Sequence, residues 1–302
     1  MLLERDGELR ALREALAGAA DGRGALVVVE GDPGIGKTTL LDAAREVARE
    51  DGLSVLGARG GELERELTFG IARQLLETRV EAIGRSSWPG EADEPSIAHG
   101  LYWAVADLAA SAPLCVLVDD AHWGDAASLR WLVYLARRLD EVPAAVVVAT
   151  RTGEPGAPQD LLDALGALAD EGGRLLRPSA LTAPASEELV RREAGADADE
   201  SLCRTLHEMA GGNPLLVREA AATVAVEGAE AAPSLRPQAL ARTVLRRLAG
   251  LPDGATALAR AVAVLDRDAT PANAAALAGL EADAAARAVD ELAAARIVQT
   301  PG

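Results

Sequence analysis

The sequence predicts an α/β protein: a five-stranded parallel sheet with helices on both faces, followed by an all-helical part. Three observations predict this fold class. Short runs such as 24–31 and 144–151 are apolar at nearly every position, as strands buried on both faces of a parallel sheet are. Segments with a helical spacing of apolar residues separate these runs. Strand-like runs stop after residue 181, and helical patterns continue.

The elements can be placed in order along the chain. A first helix is predicted at 7–19, where Leu9, Leu12 and Leu16 recur at helical spacing. Asp125 is expected to cap the helix that follows it. The predicted strands are 24–31, 53–60, 114–120, 144–151 and 174–181. The other predicted helices are one ending near 50, then 66–79, 97–111, one after Asp125, 159–171, 185–194, 199–210, 214–226 and four within 239–297.

Composition and charge narrow the class of protein. The chain has 302 residues, of which 49% are hydrophobic, and this is enough for a large core and more than one domain. Its net charge of −17 makes it, taken alone, a poor candidate for binding nucleic acid. Cys115 and Cys203 match no metal or redox spacing, which favours a reducing compartment. Apolar runs are only strand-sized, so a cytoplasmic protein without a membrane span is expected.

The segment "GDPGIGKT" (31–38) is typical of a phosphate-binding loop. It fits G-x-x-x-x-G-K-[ST], directly follows a predicted strand and directly opens a helix. Glycines let successive backbone N–H groups point at an anion, and the helix N-terminus adds partial positive charge. The alternative is an ordinary glycine–proline turn before a helix. The residues predicted to bind the nucleotide here are Gly31, Pro33, Gly34, Ile35, Gly36, Lys37, Thr38 and Thr39.

Lys37 is the only lysine of the chain, and all other basic side chains are arginines. A compact ammonium fits against the β- and γ-phosphates of a nucleotide, where the planar fork of an arginine is bulkier. Lys37 is therefore predicted to be a catalytic as well as a binding residue. The hydroxyl of Thr38 is predicted to bind Mg²⁺.

Two adjacent acids end the predicted strand in "LCVLVDDAHWGD" (114–125). Like charges at the end of a buried strand are unfavourable unless a cation offsets them. Because ligands of open α/β sheets lie beyond the carboxyl ends of the strands, Asp119 is predicted to hold Mg²⁺, directly or through water. Asp120 is predicted to polarise the attacking water. The alternative is a polar strand end at which aspartates favour a turn, and His122 is expected to be a hydrogen-bonded structural residue.

Two further motifs contain candidate site residues. Arg151 ends another predicted strand, in "VVVATR", where it either reaches a γ-phosphate or is a solvated strand-end arginine. The segment "GGNPLLVREA" (211–220) is a turn followed by a helix with Pro214 in its first turn. Taken alone, that segment predicts only the start of a helix.

In order, "GDPGIGKT", "VLVDDAHWGDAASLRWL", "VVVATR" and "GGNPLLVREA" resemble the STAND branch of the AAA+-related ATPases. More narrowly, they resemble the ATPase module of large LuxR-type transcriptional regulators. The most specific phrase is "DDAHWGDAASLRWL", since that family typically has an Asp-Asp-x-His-Trp block there. The resemblance covers most of residues 1–226 and, more loosely, the rest.

The resemblance implies a domain organisation. It implies a P-loop NTPase domain at 1–180, a helical lid at 181–232 and a winged-helix-like domain at 233–302, with a linker at 227–238. Such regulators continue into a long helical sensor region and end in a helix-turn-helix. Because the resemblance does not extend to that helix-turn-helix, direct nucleic-acid binding is not expected of residues 1–302.

The resemblance also implies roles for three residues. It implies that Arg151 is the γ-phosphate sensor and that Pro214 packs on the adenine. It implies that the segment near Arg5 closes over the base, although the family usually has Gly-Arg-Glu where this chain has "ERD" (4–6).

The sequence therefore predicts an ATP/ADP-binding signalling switch with slow, Mg²⁺-dependent ATP hydrolysis. The predicted partners are the nucleotide, a second copy of the chain when ATP is bound, and an inducer or regulatory protein that the sequence does not identify; no membrane is expected. Two alternatives stay open. A turnover P-loop phosphotransferase would need a second substrate site with its own clamp residues. A DNA-binding protein would act through 239–297, and the near-neutral charge of that segment argues against it.

Overall fold

The computed structural model describes residues 2–82, 93–151, 153–228, 248–265, 269–295 and 297–298. Within these residues, strands and helices alternate up to residue 176, and only helices follow. The strands are β1 (Ala25–Glu30), β2 (Ser54–Arg59), β3 (Leu114–Asp119), β4 (Ala144–Thr150) and β5 (Arg174–Leu176). The helices are α1 (Asp6–Ala20), α2 (Lys37–Glu50), α3 (Gly70–Ala82), α4 (Glu94–Ser111), α5 (Ala126–Ala136), α6 (Gln159–Glu171), α7 (Ala183–Ala194), α8 (Glu200–Ala210), α9 (Pro214–Glu227), α10 (Asp253–Leu265), α11 (Pro271–Ala278) and α12 (Ala282–Ala294).

The five strands form one parallel sheet in the order β2-β3-β4-β1-β5. Its register brings the carboxyl ends of neighbouring strands side by side. Arg59 at the end of β2 pairs with Asp119 at the end of β3, and Glu30 of β1 pairs with Thr150 of β4. The segments that follow these strands therefore meet at one edge of the sheet. The predicted five-stranded parallel sheet is confirmed.

Helices cover both faces of this sheet. On one face, α1 and α2 pack on alternate strand residues such as Val27 and Val29. On the other face, α3 to α6 pack on the intervening residues, such as Val28 and Val148, around the buried Trp131. Because both faces are covered, each inner strand is apolar at nearly every position, which is the pattern that predicted it.

The helices after β5 form two further clusters. The lid helices, α7–α9, pack around Val190, Leu206 and Val217. Helices α10–α12 pack around Leu258 and Leu292. None of the helices in the described ranges is both long and apolar enough to span a bilayer.

The structure describes only part of the segment after residue 226, for which a linker and four helices were predicted. After the lid helices, the described residues contain α10, α11 and α12, two further helical residues at 248–249, and no strand. Four helices were expected within 239–297. The predicted linker 227–238 lies outside the described residues except for 227 and 228, as does 239–247. The winged-helix-like fold of this part stays a prediction.

The fifth strand is shorter than predicted. It ends at Leu176, whereas the apolar pattern continues to residue 181. Pro178 has no N–H to offer to a sheet ladder, and the carbonyl oxygen of Ser179 accepts a hydrogen bond from the side chain of Arg5. The chain therefore leaves the sheet towards the lid helices.

The third helix begins later than predicted, at Gly70 instead of residue 66. A short 3₁₀ turn, Glu62–Glu64, precedes it, and Phe69 has a φ of +61°. The N–H of Phe69 donates to the carboxylate of Asp125 at 2.8 Å, so a contact between distant segments fixes where the helix starts. Asp125 also accepts from the N–H of Ser128 and caps α5, as predicted.

Candidate nucleotide-binding site

The loop between β1 and α2 has the backbone of an anion-binding cradle. Gly34 and Gly36 have φ values of +78° and +102°, which glycine adopts with little strain. Gly36 is the residue immediately before α2, so the unpaired N–H groups of the first turn of the helix face the loop. A Cβ added at Gly36 would meet no heavy atom within 4 Å, so there is open space beside it. This geometry fits a phosphate group.

Lys37 lies at the start of α2 and is only 6% exposed. Its ammonium donates to the carbonyl oxygens of Gly31 at 2.8 Å and of Asp32 at 2.9 Å. Burial, and after it the positive charge of Arg151, lowers the pKa of Lys37 from 10.5 to about 8. A bound phosphate would offset the missing hydration of this ammonium.

Thr38 and Asp119 form the candidate metal site. The hydroxyl of Thr38 donates to Oδ2 of Asp119 at 2.9 Å, which places two oxygen ligands together at the carboxyl end of β3. Such oxygen ligands suit Mg²⁺, which takes few protein ligands and completes its coordination with phosphate oxygens and water. The described part of the chain has no group of three or more His, Cys, Asp or Glu side chains placed to hold a metal.

Asp120 lies beside this pair but in a different backbone conformation. Its φ of +47° takes the chain out of the strand direction directly after Asp119. Its Oδ2 accepts two hydrogen bonds from Arg59, at 3.0 Å from Nε and 2.7 Å from Nη2. Its Oδ1 lies 3.7 Å from Nε2 of His122 and 3.9 Å from a guanidinium nitrogen of Arg151. The two adjacent acids led us to expect a cation at this position. Side chains of the protein itself supply part of that positive charge.

Arg151 follows β4 and reaches the same site. Its side chain is 15% exposed, and its second guanidinium nitrogen donates to the buried carboxylate of Glu154 at 3.2 Å. The structure therefore brings Arg151 close to Asp120, and its charge acts on Lys37. It is not a freely solvated strand-end arginine. Its role as a γ-phosphate sensor stays a prediction.

The start of α9 packs directly on the phosphate loop. Asn213 donates from Nδ2 to the carbonyl oxygen of Pro33 at 2.9 Å, and the N–H of Leu215 donates to the carbonyl oxygen of Gly34 at 3.2 Å. The other end of the same amide, Oδ1 of Asn213, caps α9 by accepting from the N–H groups of Leu215 and Leu216. A lid helix and the loop are thereby fastened to one another.

Arg5 acts on the loop from the N-terminal side. It is 2% exposed, and its guanidinium donates to the carbonyl oxygens of Ile35 at 3.2 Å and Ser179 at 2.6 Å. Next to it, Glu4 accepts from the N–H of Thr182, just before α7. The segment near Arg5 therefore holds the loop and the base of the lid together, and the donors of Arg5 are directed at backbone carbonyls.

These residues enclose one cavity of about 340 Å³. All the predicted nucleotide-binding residues except Gly31 line it, as do the predicted catalytic residues Asp120 and Arg151. Asp119 lines a neighbouring cavity with Thr38 instead. Hydrophobic side chains of the N-terminal segment and of the lid helices line the same cavity as the phosphate loop, which leaves an apolar region next to a cationic one.

Sequence reasoning did not identify four residues of this site: Arg59, Glu154, Asn213 and Arg218. One signal was available for Arg59, since it ends a predicted strand next to the strand of the paired acids. Nothing in the local pattern marked the other three.

Residues 1–148 match the family described as AAA ATPase domain. Over these residues the chain is similar to a AAA ATPase domain, and the match indicates ATP hydrolysis, as predicted. The matched residues include the phosphate loop and the paired acids, and they end before Arg151 and Pro214. No curated protein matches the sequence.

Solved structures share the P-loop NTPase fold. The ORC1 protein of Aeropyrum pernix in complex with DNA has a TM-score of 0.54 and 18% identity, over 98% of this chain and 85% of that chain. AMPPCP-bound DnaA from Aquifex aeolicus has a TM-score of 0.53 and 14% identity, over 99% and 90%. A STAND protein with a tetratricopeptide repeat sensor from Pyrococcus horikoshii has a TM-score of 0.48 and 17% identity, over 87% and 34%. At these identities the similarity to the ORC1 and DnaA structures is one of fold alone.

Proposed function

We propose that this protein is an ATP/ADP-binding signalling switch that hydrolyses ATP slowly, and that it is the regulatory ATPase module of a LuxR-type transcriptional regulator. The observation that carries the proposal is that the phosphate loop and the lid helices line one cavity. A nucleotide in that cavity contacts both parts at once. Whether the bound nucleotide has two or three phosphates can therefore change how the lid helices pack on the sheet.

The site residues divide the nucleotide between them in this proposal. The loop N–H groups and Lys37 bind the β- and γ-phosphates, and Pro214 packs on the adenine. Arg5 acts indirectly, because its donors already hold the carbonyls of Ile35 and Ser179. The AMPPCP-bound DnaA structure, which shares the fold, supports a nucleotide as the ligand of this kind of site.

Thr38 and Asp119 would hold Mg²⁺, and the 2.9 Å contact between their oxygens supports this assignment. When bound, the ion supplies positive charge to the phosphate oxygens. Asp120 accepts the proton of the attacking water. Both of its oxygens are near cationic groups, with Arg59 as the closest partner, which supports slow hydrolysis.

The regulatory part of the proposal rests on the four motifs and on the shared cavity. ADP would favour packing of the lid and the C-terminal helices against the sheet, and ATP would favour an open, self-associating form. An inducer or regulatory protein would bias this equilibrium in the cytoplasm, where the two free, buried cysteines are stable as thiols. The domains at 1–180, 181–232 and 233–302 are part of this proposal.

Nucleotide extraction tests the proposal most directly. The purified protein should release ADP or ATP on denaturation, and added ADP should raise the melting temperature of nucleotide-free protein. Lys37→Ala should abolish both effects and remain folded. Size-exclusion chromatography with light scattering should then show a larger species with a non-hydrolysable ATP analogue than with ADP. Protein that binds no nucleotide, or that has one mass with either nucleotide, would contradict the proposal.

A further inference from the structure

Glu154 is a buried carboxylate that the predicted site does not include. It lies in the turn after β4 with its side chain only 5% exposed, and it accepts from Nη1 of Arg151 at 3.2 Å. An ionised carboxylate at such a position is stable only when it is paired and hydrogen-bonded. The pairing therefore fixes one nitrogen of Arg151.

The turn that contains Glu154 is held in place from the other side by Arg65. The guanidinium of Arg65 lies 4.0 Å from the ring centre of Trp123 and donates to the carbonyl oxygens of His122 and Pro155, at 3.4 Å each. A Cβ added at Gly156 would lie 2.9 Å from this guanidinium, so the turn and Arg65 are packed tightly. Arg65 thus holds the residue that follows Glu154, and the charge of Glu154 acts on Arg65 as well as on Arg151.

Arg151 has a second acidic neighbour. Its Nη2 lies 3.9 Å from Asp120, while Nη1 binds Glu154. A long arginine side chain has many rotamers, and an unpaired guanidinium moves towards the nearest carboxylate. Without Glu154, that carboxylate is Asp120. Arg151 would then form a closer ion pair with Asp120 and point less towards the phosphates.

We propose that Glu154 is a positioning residue that aims Arg151 at the γ-phosphate and keeps it from pairing fully with Asp120. The inference rests on the proposed function of the site, in which Arg151 distinguishes ATP from ADP. It assigns Glu154 an effect on that distinction alone, because Glu154 is not among the residues that line the cavity and contacts the cavity only through the side chain of Arg151.

The test compares ATP and ADP affinities of Glu154→Gln in the full chain, with a non-hydrolysable ATP analogue in place of ATP. Glutamine keeps the shape and removes the charge. The ratio of ATP-analogue to ADP affinity should fall about tenfold, with the ADP affinity unchanged, as expected for one charge-assisted hydrogen bond. Glu14→Gln is the matched control, since Glu14 pairs with Arg174 at 2.6 Å on the surface of the molecule. It should leave both affinities unchanged.

A double-mutant cycle separates positioning from a general structural role. In an Arg151→Ala background, Glu154→Gln should have no further effect on the affinity ratio, because the group through which it acts is gone. A further fall in that background, or an unchanged ratio in Glu154→Gln alone, would overturn the proposal. Should Glu154→Gln not fold, Glu154→Asp replaces it, because aspartate keeps the charge but withdraws it by one methylene. A lower ratio of ATP-analogue to ADP affinity would again support the proposal, and an unchanged ratio would overturn it.

Failure of this inference can be told apart from failure of the proposed function. If the unmodified protein binds neither nucleotide, the proposed function is wrong, and the inference falls with it. If the unmodified protein prefers the ATP analogue to ADP and Glu154→Gln keeps that preference, the function stands and only the role of Glu154 is wrong.

Discussion

The hydroxyl of Thr38 donates a hydrogen bond to the carboxylate of Asp119 at 2.9 Å, although 81 positions separate the two residues in the chain. The contact exists because α2 begins at the same edge of the sheet at which β3 ends. The order of the strands therefore places together the two oxygen atoms that we propose as magnesium ligands.

Replacing Asp119 tests whether this pair binds a metal. Asp119→Asn should weaken nucleotide binding in the presence of Mg²⁺ by about tenfold or more, because an amide is a much weaker ligand than a carboxylate. In EDTA the same change should have little effect. Isothermal titration of ADP in both conditions measures the difference.

Asp21→Asn provides the matched control for that measurement. Asp21 directly follows α1, is exposed and pairs with Arg23. Its loss should change neither titration. Equal losses for Asp119→Asn with and without magnesium would remove the metal assignment.

The pKa of Lys37 predicts how nucleotide binding depends on pH. Burial lowers this pKa to about 8, so the ammonium loses its proton above that pH in the free protein, and phosphate binding must then restore it. ATP affinity should therefore fall steadily between about pH 8 and about pH 9.5, in a range where the γ-phosphate is already fully ionised. Fluorescence titration with a labelled nucleotide gives the profile.

Lys37→Arg is the comparison for the pH profile. Arginine stays charged throughout this range, so any residual binding should be independent of pH, although its bulk lowers the affinity. A flat profile for the unmodified protein would show that the charge on Lys37 does not control binding.

Asp120→Asn should separate hydrolysis from binding. The amide cannot accept a proton, so the rate of ATP hydrolysis should fall by about a hundredfold, while ADP affinity stays within about threefold. Phosphate release under saturating ATP measures the rate. Asp21→Asn, which removes an exposed partner of Arg23, should change neither quantity. A variant with full hydrolytic activity would exclude Asp120 as the base.

Two glycines with the same φ test the contact between the loop and α9. Gly34 and Gly52 both have a φ of +78°, but a Cβ would meet Oδ1 of Asn213 at 2.7 Å in the first case and nothing within 4 Å in the second. Gly52→Ala should lower the free energy of unfolding by about 1 kcal/mol, the cost of a left-handed alanine. Gly34→Ala should cost about 2 kcal/mol more and weaken ADP binding. Equal losses in urea denaturation would mean that α9 does not press on the loop.

The sequence predicted the parts of the site that are built from continuous segments. The phosphate loop was predicted because the glycines, the lysine and the threonine expected to bind one ligand all lie within eight consecutive residues. The strands were predicted because burial on both faces leaves an unbroken apolar run. In both cases the physical requirement is local, so the pattern is local too.

The remaining contacts depend on strand order and on loop paths, which single-sequence patterns do not contain. Arg59 binds Asp120 because β2 is the neighbour of β3, and Asn213 binds Pro33 across 180 positions. In the sequence, Arg59 lies at the end of a predicted strand and Asn213 lies in the turn before a predicted helix. Neither position indicates the partner that the side chain binds.

The double use of Asn213 has a kinetic consequence. One amide caps the first turn of α9 and also binds the carbonyl oxygen of Pro33, so in the proposed site the contact between α9 and the loop must break before a nucleotide beneath it can leave. We therefore expect the rate of this opening to limit the dissociation of ADP. The residence time of ADP should then be long compared with the time that ADP needs to bind. A slow exchange of this kind would let the protein retain the outcome of a past signal after the signal itself has gone.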